Sequence, residues 1–161
     1  MGARYRFRAR WVFDAPIDAV FECLYRLKDY PLWWPQFTHV TQHDEDEFDM
    51  TVRSFLPYDV KYRLRTTVAD RDSGRLVAEV SGDIIGRISW QLTTNKNGRC
   101  VVQFSQQVST SEWYMNLFAP LARVLFEWNH RRMMDRGRVA MRAFLSGYKL
   151  AKEEPGVYAA L

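Results

Sequence analysis

Between residues 37 and 109 the sequence alternates apolar and polar side chains in six short segments, and this pattern restricts the fold more than any other feature. The predicted strands are residues 37–42, 47–55, 58–69, 75–81, 87–94 and 99–109. Polar turns lie at residues 43–46, 71–74 and 95–98, and short polar turns join antiparallel neighbours. Residues 4–13, in which apolar side chains alternate with four arginines, predict a seventh strand. We therefore expect a curved, seven-stranded antiparallel sheet with one apolar face.

Two short helices are predicted after the first strand, and one long helix after the last. Pro16 begins the first of them, because proline suits the first turn of a helix, and residues 29–33 form the second. The long helix covers residues 117–148, where apolar or small residues recur at spacings of three and four. This stripe consists of Ala119, Ala122, Phe126, His130, Met133, Gly137, Ala140, Met141, Phe144 and Tyr148. The predicted class is α+β, with the stripe packed on the apolar face of the sheet.

The first half of the long helix is apolar on its outer face as well. That face carries Leu117, Leu121, Val124, Leu125 and Trp128. Solvent-facing apolar patches of several hundred Å² usually mark contacts. We therefore predict that the patch forms a homodimer, touches a membrane surface transiently, or is covered by the protein's own loops.

The order of the turns predicts that one end of the sheet is apolar. Successive turns of a meander fall at opposite ends, so residues 55–58, 82–86 and 113–116 share the end without the polar turns. Residues 33–36 are expected to reach the same end. The apolar side chains of these connections are Trp33, Trp34, Leu56, Tyr58, Ile84, Ile85, Trp113 and Met115. Because loops are normally polar, this end is predicted to be the mouth of a pocket.

Length and composition limit the functional classes. A chain of 161 residues is expected to form one domain, residues 1–161. Arginines interrupt the apolar residues near the start and no run reaches about 20 apolar residues, so neither a signal peptide nor a membrane span is expected. Cys23 and Cys100 lack metal-ligand spacing, which favours reduced thiols in a cytoplasmic protein.

Motifs for cofactors, metals and nucleic acid are missing from the sequence. There is no phosphate loop, paired-histidine metal motif or nucleophile elbow, so no cofactor is expected. The basic residues of 4–10 and 61–65 lie on the face opposite to the aromatic residues. Binding of single-stranded nucleic acid requires basic and aromatic residues on the same face, so it is not expected. The basic face is expected to be a solvated outer face.

Four short motifs follow one another along the chain. They are Phe13-Asp14-Ala15-Pro16 with Val20-Phe21, Tyr30-Pro31 with Trp33-Trp34-Pro35, Gly82-Asp83 with Gly86 and Trp90, and Trp128-Asn129-His130 with Met133-Met134 and Gly137. In this order they resemble the START-like superfamily, also called Bet v 1-like or SRPBCC, and its polyketide cyclase/dehydrase branch, over about residues 5–150. The resemblance implies a helix-grip fold with a deep cavity that binds a hydrophobic aromatic, polyketide-like or lipid-like molecule. It implies an aromatase/cyclase-type enzyme as the alternative.

Inward-facing positions and the apolar end together supply the candidate ligand-binding residues. They are Trp34, Tyr58, Tyr62, Ile84, Trp90, Phe104, Gln106, Phe126, His130 and Met133. The cavity is expected to open at the end that carries Trp34, Tyr58 and Ile84. Gln106 and His130 are polar, and a buried polar group needs a partner from protein, water or ligand. His130 is either a hydrogen-bonded core histidine or a ligand contact, and it is the acid/base candidate of the enzymatic alternative; no catalytic residue is assigned.

Overall fold

The strands and helices occur in the predicted order. The computed structural model describes residues 4–53, 55, 58–110 and 119–153, without the side chains of residues 119–120, 122 and 148–153. The first elements are β1 (Arg4–Phe13), α1 (Ile17–Tyr25), a 3₁₀ turn (Leu27–Asp29) and α2 (Tyr30–Trp33). The following elements are β2 (Phe37–Gln42), β3 (Glu47–Arg53), β4 (Asp59–Asp70), β5 (Arg75–Gly82), β6 (Ile84–Thr94), β7 (Cys100–Thr110) and α3 (Ala119–Glu153). The predicted Leu56, Trp113, Met115 and Leu117 lie outside the described residues.

All seven strands form one antiparallel sheet in the order β1-β7-β6-β5-β4-β3-β2. β1 pairs with the last strand, so that Tyr5 lies opposite Val108 and Trp11 opposite Val102. Because the first strand pairs with the last strand, β1 and β2 are the two edge strands of the sheet. This architecture is the predicted α+β helix-grip fold, with the curved sheet packed against the long α3.

The connection between β5 and β6 is shorter than predicted. β6 begins at Ile84 rather than at residue 87, so Ile84 and Ile85 belong to a strand and not to a loop. Gly86 has a φ of 154°, and a Cβ at this position would lie 2.1 Å from the carbonyl oxygen of Gln107. The glycine that interrupts the apolar pattern therefore lets two strands approach closely, and it does not end the strand.

An aromatic cluster joins α2 to the sheet and to α3. Its rings belong to Trp11, Tyr30, Trp33, Trp34 and Phe37, with neighbouring ring centroids about 5–6 Å apart. A Cβ at Gly137 of α3 would lie 2.5 Å from the Trp34 ring atoms Cε2 and Cζ2. Glycine at this position therefore allows α3 to lie directly on the Trp34 indole.

The buried face of α3 differs from the predicted stripe near its C-terminal end. Phe144 was expected in the core, but it is 38% exposed, whereas Leu145 is 4% exposed and Met141 is fully buried. The cause is that the sheet twists beneath a long helix, so the line of contact drifts around the helix surface. The assignment of Phe144 to the core is therefore wrong.

The predicted outer face of α3 is exposed. Leu121 is 73% exposed and Trp128 is 46% exposed, and Val124 and Leu125 are exposed beside them. Phe55 adds a further exposed apolar side chain, with its ring centroid 6.1 Å from that of Trp128. Together these five residues are called the α3 patch below.

Candidate functional site

A cavity of about 180 Å³ lies between the inner face of the sheet and α3. Its walls are almost entirely apolar. An apolar cavity of roughly 150 Å³ is large enough to admit benzene, so this volume suffices for a small aromatic body. The ten residues predicted from the sequence all lie on its wall, namely Trp34, Tyr58, Tyr62, Ile84, Trp90, Phe104, Gln106, Phe126, His130 and Met133. Ligand binding by these residues stays a prediction.

The strands supply the aromatic walls because every second side chain faces inward. The rings of Trp90 on β6 and Phe104 on β7 are neighbours, with centroids 4.4 Å apart. Tyr62 faces the cavity from β4, and burial raises the pKa of its phenol. On the helix side Phe126 and Met133 complete the apolar wall.

Trp34 does not lie at the mouth of the cavity, where the sequence placed it. It is 3% exposed, and its ring centroid lies 5.8 Å from that of Trp11 in the interior. The reason is that α2 folds back over the sheet, so that Trp34 points inward under α3. Tyr58 and Ile84, in contrast, are only half-buried and lie at the predicted end of the sheet.

His130 is the histidine of the cavity wall. Its Nε2 donates to Oε1 of Gln106 over 3.1 Å, and its ring stacks on Phe7 with centroids 4.0 Å apart. Burial lowers the pKa of the imidazole to about 4. The ring is therefore neutral at pH 7, with its proton on Nε2 and a lone pair on Nδ1. The hydrogen bond to Gln106 agrees with the core-histidine role, and contact with a ligand stays a prediction.

A second polar pair anchors the connection between β3 and β4. Oδ1 of Asn129 on α3 accepts a hydrogen bond from the backbone N–H of Phe55 over 2.9 Å. Asn129 also lies on the cavity wall and is buried. Its side-chain oxygen is thus already occupied by the protein itself.

Two hydroxyl groups on the wall were not among the predicted site residues. Tyr5 Oη and Thr110 Oγ1 are buried and have no hydrogen-bond partner among the described residues. Alternation along β1 placed Tyr5 on the inner face, but among so many aromatic residues nothing in the sequence distinguished it. Thr110 lies one residue beyond the predicted end of its strand.

The outer face of the sheet is a solvated face rich in ion pairs. Arg63 and His43 both contact Asp49, which lowers the pKa of that carboxyl to about 2, and Arg65 pairs with Glu79. These pairs compensate part of the basic charge predicted for this face. His43 is exposed.

Neither a metal-ligand cluster nor a reactive thiol is present among the described residues. Within residues 4–53, 55, 58–110 and 119–153 no three histidine, cysteine or acidic residues are grouped as metal ligands. Cys23 and Cys100 are buried free thiols, and burial raises the pKa of each to about 11, so both are unreactive at neutral pH. None of the helices in the described parts of the chain is long and apolar enough to cross a membrane.

An antiparallel sheet closed over a long C-terminal helix, with an apolar cavity between them, defines a START-like helix-grip protein. The sequence model of the family described as polyketide cyclase/dehydrase and lipid transport matches residues 13–135, so the chain belongs to this family. No curated protein sequence matches the chain significantly.

Solved structures of low sequence identity share the fold. The Zhui aromatase/cyclase from a Streptomyces species is 15% identical and has a TM-score of 0.71, with 96% of this chain and 99% of that chain covered. A START superfamily protein from Mycobacterium smegmatis is 6% identical with a TM-score of 0.71, with 89% and 98% covered. The di-domain aromatase/cyclase StfQ of the steffimycin biosynthetic pathway is 13% identical with a TM-score of 0.73, covering 91% of this chain and 52% of that one.

Proposed function

We propose that this protein binds a hydrophobic small molecule in the cavity between the sheet and α3. The observation that carries the proposal is the apolar cavity itself, since a filled core leaves few voids larger than a water molecule. Membership of the family and the helix-grip fold of the neighbours support binding of this kind. The cytoplasmic location also stays a prediction.

The volume and the walls favour a compact aromatic ligand over an extended lipid. A cavity of about 180 Å³ is below the roughly 300–1,000 Å³ of ordinary ligand pockets, so it suits a body of one or two rings. An apolar ligand that buries about 300 Å² gains roughly 7 kcal/mol at about 25 cal/mol per Å². Association costs at least about 4 kcal/mol of this, so we expect micromolar affinity at best without polar contacts.

An aromatase/cyclase-type enzyme is the second candidate function. It is supported by the family description and by two neighbours named as aromatase/cyclases. His130 is the acid/base candidate, but proton transfer works best with a pKa near the working pH, and burial lowers the pKa of His130 to about 4. Loss of turnover in His130→Ala with ligand binding intact would favour the enzyme, whereas a bound ligand recovered unchanged favours the binding protein.

The cavity prediction is tested by substitutions on the inner and outer faces of the sheet. Met133→Trp places a large ring in the cavity, and we expect it to weaken binding of N,N-dimethyl-2-naphthylamine, an apolar two-ring fluorescent dye, by tenfold or more. Arg63→Ala on the outer face is the control and should change the affinity by less than twofold, because its exposed guanidinium contacts only Glu47 and Asp49 among the described residues. Fluorescence titration gives both affinities. Equal effects of the two substitutions, or no dye binding by the unmodified protein, would contradict the binding function.

We also propose that the α3 patch is a contact surface, either in a homodimer or against a membrane surface. Arg132 lies over the rings of Phe55 and Trp128, 4.9 Å and 5.4 Å from their centroids, so cationic and apolar groups are presented together. Arg131 and Arg132 are exposed beside the patch, which suits anionic lipid as well as an acidic protein surface.

Replacing Leu121 and Trp128 together by serine is expected to abolish this contact. Analytical ultracentrifugation at high concentration measures the dimer, and co-sedimentation with anionic phosphatidylglycerol vesicles measures membrane binding. Val139→Ser, at an exposed apolar position of α3 outside the patch, is the matched control and should leave both unchanged. If the protein is monomeric at high concentration and also fails to bind vesicles, the contact proposal is wrong. The remaining interpretation is that the protein's own loops cover the patch.

A further inference from the structure

Unpaired polar atoms are concentrated on the cavity wall. Of the buried side-chain atoms that lack a hydrogen-bond partner among the described residues, Tyr5 Oη, Thr110 Oγ1 and Trp34 Nε1 belong to residues of the wall. Tyr5 is 6% exposed and Thr110 is 4% exposed. Buried polar groups are nearly always bonded, because leaving one unpaired costs free energy, so each of these atoms requires an explanation.

Tyr5 and Thr110 are neighbours in the sheet and point to the same side. Tyr5 of β1 lies opposite Val108 of β7, and Thr110 follows two residues later on the same face. Such diagonal neighbours have their Cα atoms roughly 7–8 Å apart, which allows one small group to contact both side chains. The ring of Tyr5 meets that of Phe126 edge-on at 5.4 Å, so the two hydroxyls lie near the N-terminal half of α3.

Several other polar groups of the wall have partners or no space. His130 donates to Gln106, and the Asn129 oxygen accepts from the backbone of Phe55. Trp34 Nε1 faces Gly137, where a Cβ would already lie 2.9 Å away, so no ligand atom fits between them. The hydroxyls of Tyr5 and Thr110 are therefore available to bond a polar group of a ligand.

We propose that Tyr5 and Thr110 form a polar subsite that donates hydrogen bonds to an acceptor oxygen of the ligand, a carbonyl or a carboxylate. The apolar body of the ligand then lies toward Trp90 and Phe104. This assignment rests on the proposed binding function and names the chemistry of its ligand.

The charge near Tyr5 agrees with an acceptor that carries negative charge. Burial raises the pKa of Tyr5, and the positive charge of Arg123 opposes that rise, so the guanidinium acts on the phenol. Arg123 is exposed and pairs with Glu127 at 3.2 Å, on the solvent side of the subsite. A ligand oxygen at Tyr5 is thus bonded by two hydroxyls, with the Arg123–Glu127 ion pair on the solvent side.

Three ligands with the same ring system test the subsite in competition with bound N,N-dimethyl-2-naphthylamine. Naphthalene has no acceptor, 2-naphthaldehyde has a neutral carbonyl, and 2-naphthoate has a carboxylate. We expect the double variant Tyr5→Phe with Thr110→Val to weaken the oxygen-bearing ligands by about tenfold or more, since one hydrogen bond is worth about fivefold. Naphthalene should change by less than twofold. Thr93→Val, which removes an exposed hydroxyl on the outer face of β6, is the control and should change nothing.

The outcomes separate this subsite from the binding function. Loss for both oxygen-bearing ligands supports a carbonyl subsite, and loss for 2-naphthoate alone supports a carboxylate subsite. Unchanged affinities for both overturn the subsite, while binding of naphthalene and dye then leaves the binding function standing. If none of the ligands binds the unmodified protein, both proposals fail.

Stability of the free protein provides the second measurement. Because the two hydroxyls have no partner among the described residues, Tyr5→Phe with Thr110→Val should leave the urea midpoint unchanged or raise it. A lowered midpoint would show that the hydroxyls serve the fold, and it would overturn the assignment. The combination of weaker ligand binding with undiminished stability is the result expected of a recognition residue.

Discussion

Leu145→Ala is expected to lower the free energy of unfolding by about 2–5 kcal/mol, the usual cost of removing a buried leucine side chain. Leu145 is 4% exposed and belongs to the hydrophobic core, near the C-terminal end of the part of α3 whose side chains are described. Phe144→Ala removes a larger side chain at the adjoining position. It should nevertheless cost less than about 1 kcal/mol, because Phe144 is 38% exposed and lies beside the buried face.

Urea titration of the two variants measures both losses under the same conditions. The comparison is well matched, because both residues lie in the same helical turn and both changes produce alanine. If Phe144→Ala lowers the free energy of unfolding more than Leu145→Ala does, Phe144 is the buried residue, as periodicity alone predicted.

The second large effect concerns the pH dependence of stability. Burial lowers the pKa of folded His130 to about 4, below the ordinary 6.5, and no carboxylate contributes to the shift. Between these two values the unfolded chain binds a proton that the folded protein does not. The stabilisation is therefore complete above pH 6.5 and is lost as the pH falls toward 4. With about 1.4 kcal/mol per pKa unit, the loss amounts to roughly 3 kcal/mol.

His130→Phe is the control that isolates this contribution. Phenylalanine preserves a ring against Phe7 but cannot titrate, while the oxygen of Gln106 loses its donor at every pH. Between pH 7 and pH 4.5 the unmodified protein should therefore lose more stability than the variant in parallel urea titrations. A difference between the two proteins that stays constant over this range would show that His130 is accessible to protons in the folded state.

The candidate site was predictable where it depends on strand alternation. Tyr62, Trp90, Phe104 and Gln106 face the cavity because each occupies an inward position of a regular strand. The hydrogen bond between Gln106 and His130 was not predictable. The two residues are 24 positions apart on different elements, and their relative position is decided only when the helix packs on the sheet. The same holds for the unpaired hydroxyls of Tyr5 and Thr110, because a missing partner is a property of the surroundings.

By itself the sequence determined the strands, the long helix and the family, because period-two and period-3.6 patterns are local and each side chain reports its own face. Only the tertiary structure decided which residues of those faces meet. It turned Trp34 from the mouth into the interior, since Gly137 leaves space for an indole beneath α3. It also buried Leu145 instead of Phe144, since a twisted sheet and a long helix do not stay in contact along one straight stripe.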